Sequence, residues 1–169
     1  MRNIILIVIL MIATLSLNAQ DTNKKSRREI KAEKEALLKE QTKKLLDSKN
    51  YMFVTKNANP SRGRTVSITG YTVKITGDTI VSFLPYYGRT YIANLDNQKS
   101  PYDFTQVAES YNLTKVKKGY KVELNLKKEM ESITYSFDIS ETGFASLTAI
   151  SSSRQPINYT GDIVEIRKR

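Results

Sequence analysis

The stretch Lys121-Val122-Glu123-Leu124-Asn125-Leu126-Lys127-Lys128-Glu129-Met130-Glu131-Ser132-Ile133-Thr134-Tyr135-Ser136-Phe137-Asp138-Ile139 decides the fold. Val122, Leu124 and Leu126 alternate with Lys121, Glu123, Asn125 and Lys127; Ile133, Tyr135, Phe137 and Ile139 alternate with Thr134, Ser136 and Asp138. A period of two is the pattern of a strand with one dry and one wet face, and two such runs in tandem read as a hairpin. Working outward, Glu141-Thr142-Gly143 turns the chain into Phe144 to Ser151, where Ala145, Leu147 and Ala149 share a face. Upstream, Tyr71, Val73 and Ile75 alternate with Thr72, Lys74 and Thr76, and Gly77-Asp78 is a two-residue turn into Thr79-Ile80-Val81.

Further strand-like stretches are Tyr51 to Lys56, Thr65 to Thr69, Thr90 to Leu95, Tyr102 to Val107, Pro156 to Tyr159 and Ile163 to Ile166, giving about ten short strands in all. No long helical pattern interrupts them, so parallel crossovers are not expected and the sheet is antiparallel. The expected fold is mainly β: a small antiparallel β-barrel preceded by one N-terminal amphipathic α-helix, with an open β-sandwich as the alternative. Closure removes exposed strand edges, which favours the barrel.

The segment before the strands is different in kind. From Asp21 to Asn50 ten Lys or Arg stand against six acids, with no Gly and no Pro. Ile30, Leu37, Leu38, Leu45 and Leu46 recur at spacings of seven and eight, one narrow stripe on a helix. Ser26 precedes Glu29 by three as in a capping box, so the spacing predicts a helix from about Arg27 to Ser48. Glu35–Lys39 and Glu40–Lys44 have the favourable i, i+4 order of a solvated helix that lays its leucines on the following domain. Its basic face could also meet an anionic membrane surface.

Met1-Arg2-Asn3, the apolar run Ile4 to Leu17 and the small residue Ala19 read as a secretory signal peptide, residues 1–19. The run is shorter than the roughly 20 residues a membrane-spanning helix needs. No cysteine stands at the cut to make a lipoprotein, so no transmembrane span is expected after cleavage and the product is periplasmic or secreted. The domain plan is then 1–19 signal peptide, 20–50 basic helix and 51–169 barrel. Removing the first 19 residues leaves 150 residues with 26 Lys and Arg against 17 Asp and Glu. In an exported protein that excess points to anionic envelope components, not to nucleic acid. Lys115, Lys117, Lys118, Lys121, Lys127 and Lys128 flank one hairpin and either form such a patch or guard a strand edge.

The chain has no His, Cys or Trp. That excludes Ser-His and Cys-His nucleophile pairs, imidazole bases, disulfides and thiolate or imidazole metal sites. No Gly-rich phosphate loop, Gly-x-Ser-x-Gly elbow or Ser-x-x-Lys occurs. The acids Asp78, Asp96, Asp103, Glu109, Glu123, Asp138 and Asp162 fall in turns or on polar strand faces, with nothing marking the carboxylate pair a glycosidase requires. Neither an enzyme nor a cofactor is expected.

One stretch has a composition unlike the rest: Leu84-Pro85-Tyr86-Tyr87-Gly88-Arg89-Thr90-Tyr91. A guanidinium among phenols can grip a carboxylate, phosphate or sugar by bidentate hydrogen bonds and stacking, which makes Tyr86, Tyr87, Arg89 and Tyr91 candidate ligand-binding residues. The competing reading has Pro85 and Gly88 shaping a corner and Arg89 paired with an acid such as Asp103 or Asp138. Arg154 with Tyr159 is a second candidate of the same kind.

The octapeptide resembles the "LPYFGRAY" signature of the DUF4251 family, exported Bacteroidetes-type proteins of unknown function. Phe53-Val54, Ala58-Asn59-Pro60, Gly77-Asp78, Asp103-Phe104 and the closing Arg154-Gln155-Pro156-Ile157-Asn158-Tyr159-Thr160-Gly161 follow in family-like order, from about Lys31 to Ile163. Tyr87 stands where Phe is usual and Thr90 where Ala is usual. The resemblance implies a lipocalin-like barrel topology, a bacterial source and export. It implies no catalytic residue.

Overall fold

The computed structural model describes residues 26–89, 100–128 and 130–166. Residues 1–19 and the stretch Thr90 to Leu95, including Tyr91, lie outside them. The chain divides into two units, Met1–Lys34 and Glu35–Arg169. In the first, the helix α1 (Arg27–Asp47) begins at the capping box: Ser26 N donates to Glu29 Oε2 at 2.8 Å and Glu29 N to Ser26 Oγ at 3.4 Å.

The second unit holds the rest of α1 and nine strands: β1 (Asn50–Pro60), β2 (Val66–Ser67), β3 (Thr72–Thr76), β4 (Thr79–Leu84), β5 (Tyr102–Val116), β6 (Gly119–Lys128), β7 (Glu131–Ser140), β8 (Phe144–Ser151) and β9 (Arg154–Val164). All pairings are antiparallel and run in chain order from β3 to β9. Pairing of β1 with both β3 and β9 closes an eight-stranded barrel. The ninth strand, β2, continues β3 along the same edge of β1 after an interruption at Ile68–Tyr71. An open sandwich is excluded.

Alternation puts the bulky residues inside. Val122, Leu124 and Leu126 lie opposite Phe137, Tyr135 and Ile133, all buried. Across the next ladder Ala145, Leu147 and Ala149 face Ile139, Phe137 and Tyr135, so the small Ala149 makes room for the Tyr135 ring. Tyr51, Phe53, Tyr102 and Tyr159 complete an aromatic interior, with Phe53 and Phe137 edge to face at 5.5 Å.

Two strands differ from their sequence reading. Tyr102 to Val107 is only the start of a fifteen-residue β5, which pairs with β4 as far as Val107 and beyond it with β6 alone. The extension carries exposed Glu109, Asn112 and Thr114 among Ala108, Tyr111 and Leu113, which half-bury against the core, and the register shift between Ala108 and Ser110 breaks the alternation, so no period of two runs through it. Pro156 to Tyr159 and the first half of Ile163 to Ile166 belong to one strand, β9, which ends at Val164 and is bent by register shifts near its start and at the β1 seam. The six lysines also separate: Lys115, Lys117, Lys118 and Lys121 surround the β5–β6 turn, whereas Lys127 and Lys128 end β6. Six residues of strand, from Lys121 to Lys127, put about 20 Å between the two groups.

One barrel end carries the β3–β4, β5–β6 and β7–β8 turns and receives the last turns of α1. Leu46 is buried there, and Leu38 and Leu45 are half-buried. Leu37 is 54% exposed, so the leucine stripe docks only in its C-terminal part. The left-handed Lys49 (φ 48°) turns the chain into β1; its carbonyl accepts from Gly77 N at 2.8 Å and its ammonium meets Asp78 at 3.1 Å. Lys39 braces the helix between Glu35 at 3.3 Å and Glu141 at 2.9 Å.

Candidate functional site

The other barrel end collects the start of β9, the end of β6 and the described part of the octapeptide, Leu84 to Arg89. β4 brings Leu84 and Pro85 in buried, after which the chain crosses the barrel rim. Tyr86 staples the crossing. Its single hydroxyl proton is shared between Arg89 O at 2.7 Å and Gln155 O at 3.1 Å, while Gln155 N donates to Arg89 O at 3.1 Å. A Cβ on Gly88 would meet the Tyr86 hydroxyl at 2.3 Å, so the ring folds over the one residue type that leaves it room. Tyr159 Oη donates to Pro85 O at 2.6 Å from inside.

These contacts sort the sequence candidates. Tyr86 and Tyr159 use their hydroxyls on backbone carbonyls, which fixes the corner. Tyr87 and Arg89 remain exposed at the rim, and Arg89 makes no ion pair with Asp103, Asp138 or any other described residue. Arg154 is 3% exposed and pairs with Glu131, 13% exposed, whose carboxylate also accepts from Ser151 Oγ. Arg154 and Tyr159 lie on the inner side of one strand, but the charge partner of Arg154 is Glu131 and not a neighbour in sequence.

Glu131 was missed in the sequence, although it continues the odd-numbered phase of Ile133, Tyr135 and Phe137 and therefore points inward. Tyr102 was missed too. Its ring meets Tyr86 at 5.5 Å and Tyr135 at 6.0 Å, both edge to face. Tyr135 Oη contacts Ser82 Oγ at 2.9 Å, whereas the buried Tyr102 Oη and Arg154 Nε have no hydrogen-bond partner among the described residues. Buried polar groups are normally satisfied, so two idle donors in one cluster mark unused binding capacity.

Burial pushes the phenols of Tyr51, Tyr102, Tyr111, Tyr135 and Tyr159 above the ordinary tyrosine range. At Tyr102 the nearby Tyr86 and Glu131 add to burial and Arg154 opposes it. Above about pH 10 the unfolded phenols ionise while the folded ones keep their protons, so the unfolded state binds fewer protons and stability falls as pH rises. The expected slope reaches about 1.4 kcal/mol per pH unit for each such phenol. Urea midpoints should drop in this alkaline range, and tyrosinate absorbance from these five should appear only with unfolding. Ionisation at ordinary pH with the fold intact would contradict the burial.

Among the described residues no group of three or more Asp and Glu gathers to hold a metal, and no helix is long and apolar enough to cross a membrane. A closed eight-stranded barrel, plugged at one end by a helix and carrying a tyrosine-lined buried ion pair at the other, defines a class of small barrel proteins. The model of the domain of unknown function DUF4251 matches residues 33–163, and the chain belongs to that family. The fold is also similar to the crystal structure of a DUF4251 family protein from Bacteroides eggerthii DSM 20697, with a TM-score of 0.61 at 10% identity over 77% of this chain and 89% of that one. No curated protein matches the chain.

Proposed function

We propose that the protein is a non-enzymatic binding module of the bacterial cell envelope, exported by its leader to the periplasm or beyond, that holds a small or amphipathic ligand at the octapeptide end of the barrel. The observation that carries this reading is the pair of idle buried donors, Tyr102 Oη and Arg154 Nε, beneath the rim formed by Tyr86, Tyr87 and Arg89. A ligand acceptor would complete them, and rim aromatics would cover its apolar part. The elements have separate duties: Glu131 holds the Arg154 guanidinium, Tyr86 sets the rim, and Tyr87 and Arg89 stay free of described ion pairs to meet the ligand.

Native mass spectrometry of protein purified from its own periplasm tests this. A co-purifying mass lost from Arg89→Ala, with stability retained, is the expected result. Bare chain alone, together with unchanged Tyr86 to Arg89 amide signals in periplasmic extract, would refute it.

A second reading draws on the opposite end. Lys115, Lys117, Lys118 and Lys121 make no ion pair with described residues, and Val116 between them is 45% exposed, a tip suited to anionic lipid or glycan. Retention on envelope fractions that ignores salt would count against it.

A further inference from the structure

Arg62 lies in Ser61-Arg62-Gly63-Arg64, the loop that follows β1. The structure gives it a location. Ser61 Oγ donates to Pro156 O, and the adjoining Gln155 is held by Arg89 O and Tyr86 Oη. Ser61, next to Arg62, and the backbone of Arg89 thus meet adjacent residues of β9, Pro156 and Gln155, from two separate loops, 61–65 and 85–89. Both arginines are exposed and neither makes an ion pair with a described residue.

Among the described residues the local charge balance is one-sided. The described acids at this end are Asp103 and Glu131, and Glu131 is engaged by Arg154. Arg64 and Lys127 add further cations. Excess cationic donors flanking one strand start, above two idle buried donors, complement an oxyanion.

We infer that the ligand of this barrel end carries a phosphate or carboxylate head gripped by Arg62 and Arg89 across Gln155-Pro156, with its apolar part against Tyr87. The inference rests on the barrel-end binding proposed above and deepens it by naming the ligand class and a new binding residue. Guanidiniums suit the task because each offers a planar fork of donors to an oxyanion. Tyr87 supplies an exposed aromatic face beside them.

The test titrates the purified protein with dodecyl phosphate, inorganic phosphate and dodecyl maltoside, following the backbone amides of Tyr86 to Arg89 and Gln155 by NMR. Dodecyl phosphate should shift these amides, and its affinity should fall at least about tenfold in Arg62→Gln and in Arg89→Gln, and again with added salt. Inorganic phosphate binding equally well would assign the site to the free anion; much weaker binding would assign it to an anionic amphiphile. Either result supports the anion grip. Maltoside binding as tightly as dodecyl phosphate, indifferent to both substitutions, would overturn the anion grip and leave the barrel-end site standing. Amides unmoved by all three probes would overturn both. Because both arginines are exposed, the variants should keep the wild-type urea midpoint, which separates lost binding from lost fold.

Discussion

Gly161→Ala is expected to destabilise the protein by about 3 kcal/mol or more, at the upper end of what overpacking costs. Gly161 lies on β9 opposite Thr55, beside the register shift where β1 and β9 close the barrel. A Cβ there would meet Val54 O at 2.0 Å, Val54 C at 2.9 Å and the Phe53 ring at 3.0 Å. The first two obstacles are backbone, so no rotamer change relieves them. Strand separation at the seam must grow, and every β1–β9 hydrogen bond near it weakens. Gly77→Ala is the control: φ of +59° disfavours alanine, but nothing lies within 4 Å of the added methyl, so about 1 kcal/mol is expected. Urea unfolding of the two variants checks this. Equal midpoints for Gly161→Ala and wild type would mean that the barrel does not close at this seam.

The seam also shows what a sequence can and cannot say. The β6–β7 hairpin was legible because both strands have one face in the core, so burial wrote a period of two into Val122–Leu126 and Ile133–Ile139. The start of α1 was legible because a capping box is a local device. The outer half of β5 was not, since the register shift between Ala108 and Ser110 breaks its alternation, and Ala108, Tyr111 and Leu113 only half-bury against the core. β9 was started late, at Pro156, and broken in two around Gly161, the very residues that its rim contact and tight seam involve.

The candidate site was half legible for a similar reason. Aromatic and arginine content singled out Tyr86, Tyr87 and Arg89, and the structure puts them on one rim. Arg154 was also found, but its partner was not. Glu131 stands 23 residues earlier, on the far side of the β7–β8 hairpin, and a long-range ion pair leaves no spacing to read. Only the pairing of Ser151 with both Ile133 and Arg154 brings the two turns together. The inward parity of Glu131 was the available signal, and it takes effect only once the strand is known to continue that far.

Breaking this pair should cost more than replacing it. Glu131→Gln or Arg154→Met each leaves one group without its counter-charge in a buried site, and a loss of about 3 to 5 kcal/mol is expected. Glu131→Gln has a second consequence, because Ser151 Oγ also loses its carboxylate acceptor. The double variant Glu131→Leu with Arg154→Met removes both charges and fills the space with apolar volume. It is expected to recover most of the loss, since the pair itself spends much of its attraction on desolvation. A double-mutant cycle by urea unfolding reads this directly as strong coupling between the two positions. Additive losses would show instead that Arg154 and Glu131 act independently. The same cycle separates structure from binding: if the double variant is as stable as wild type yet retains no co-purifying mass, the barrel keeps this buried pair for its ligand and not for its fold.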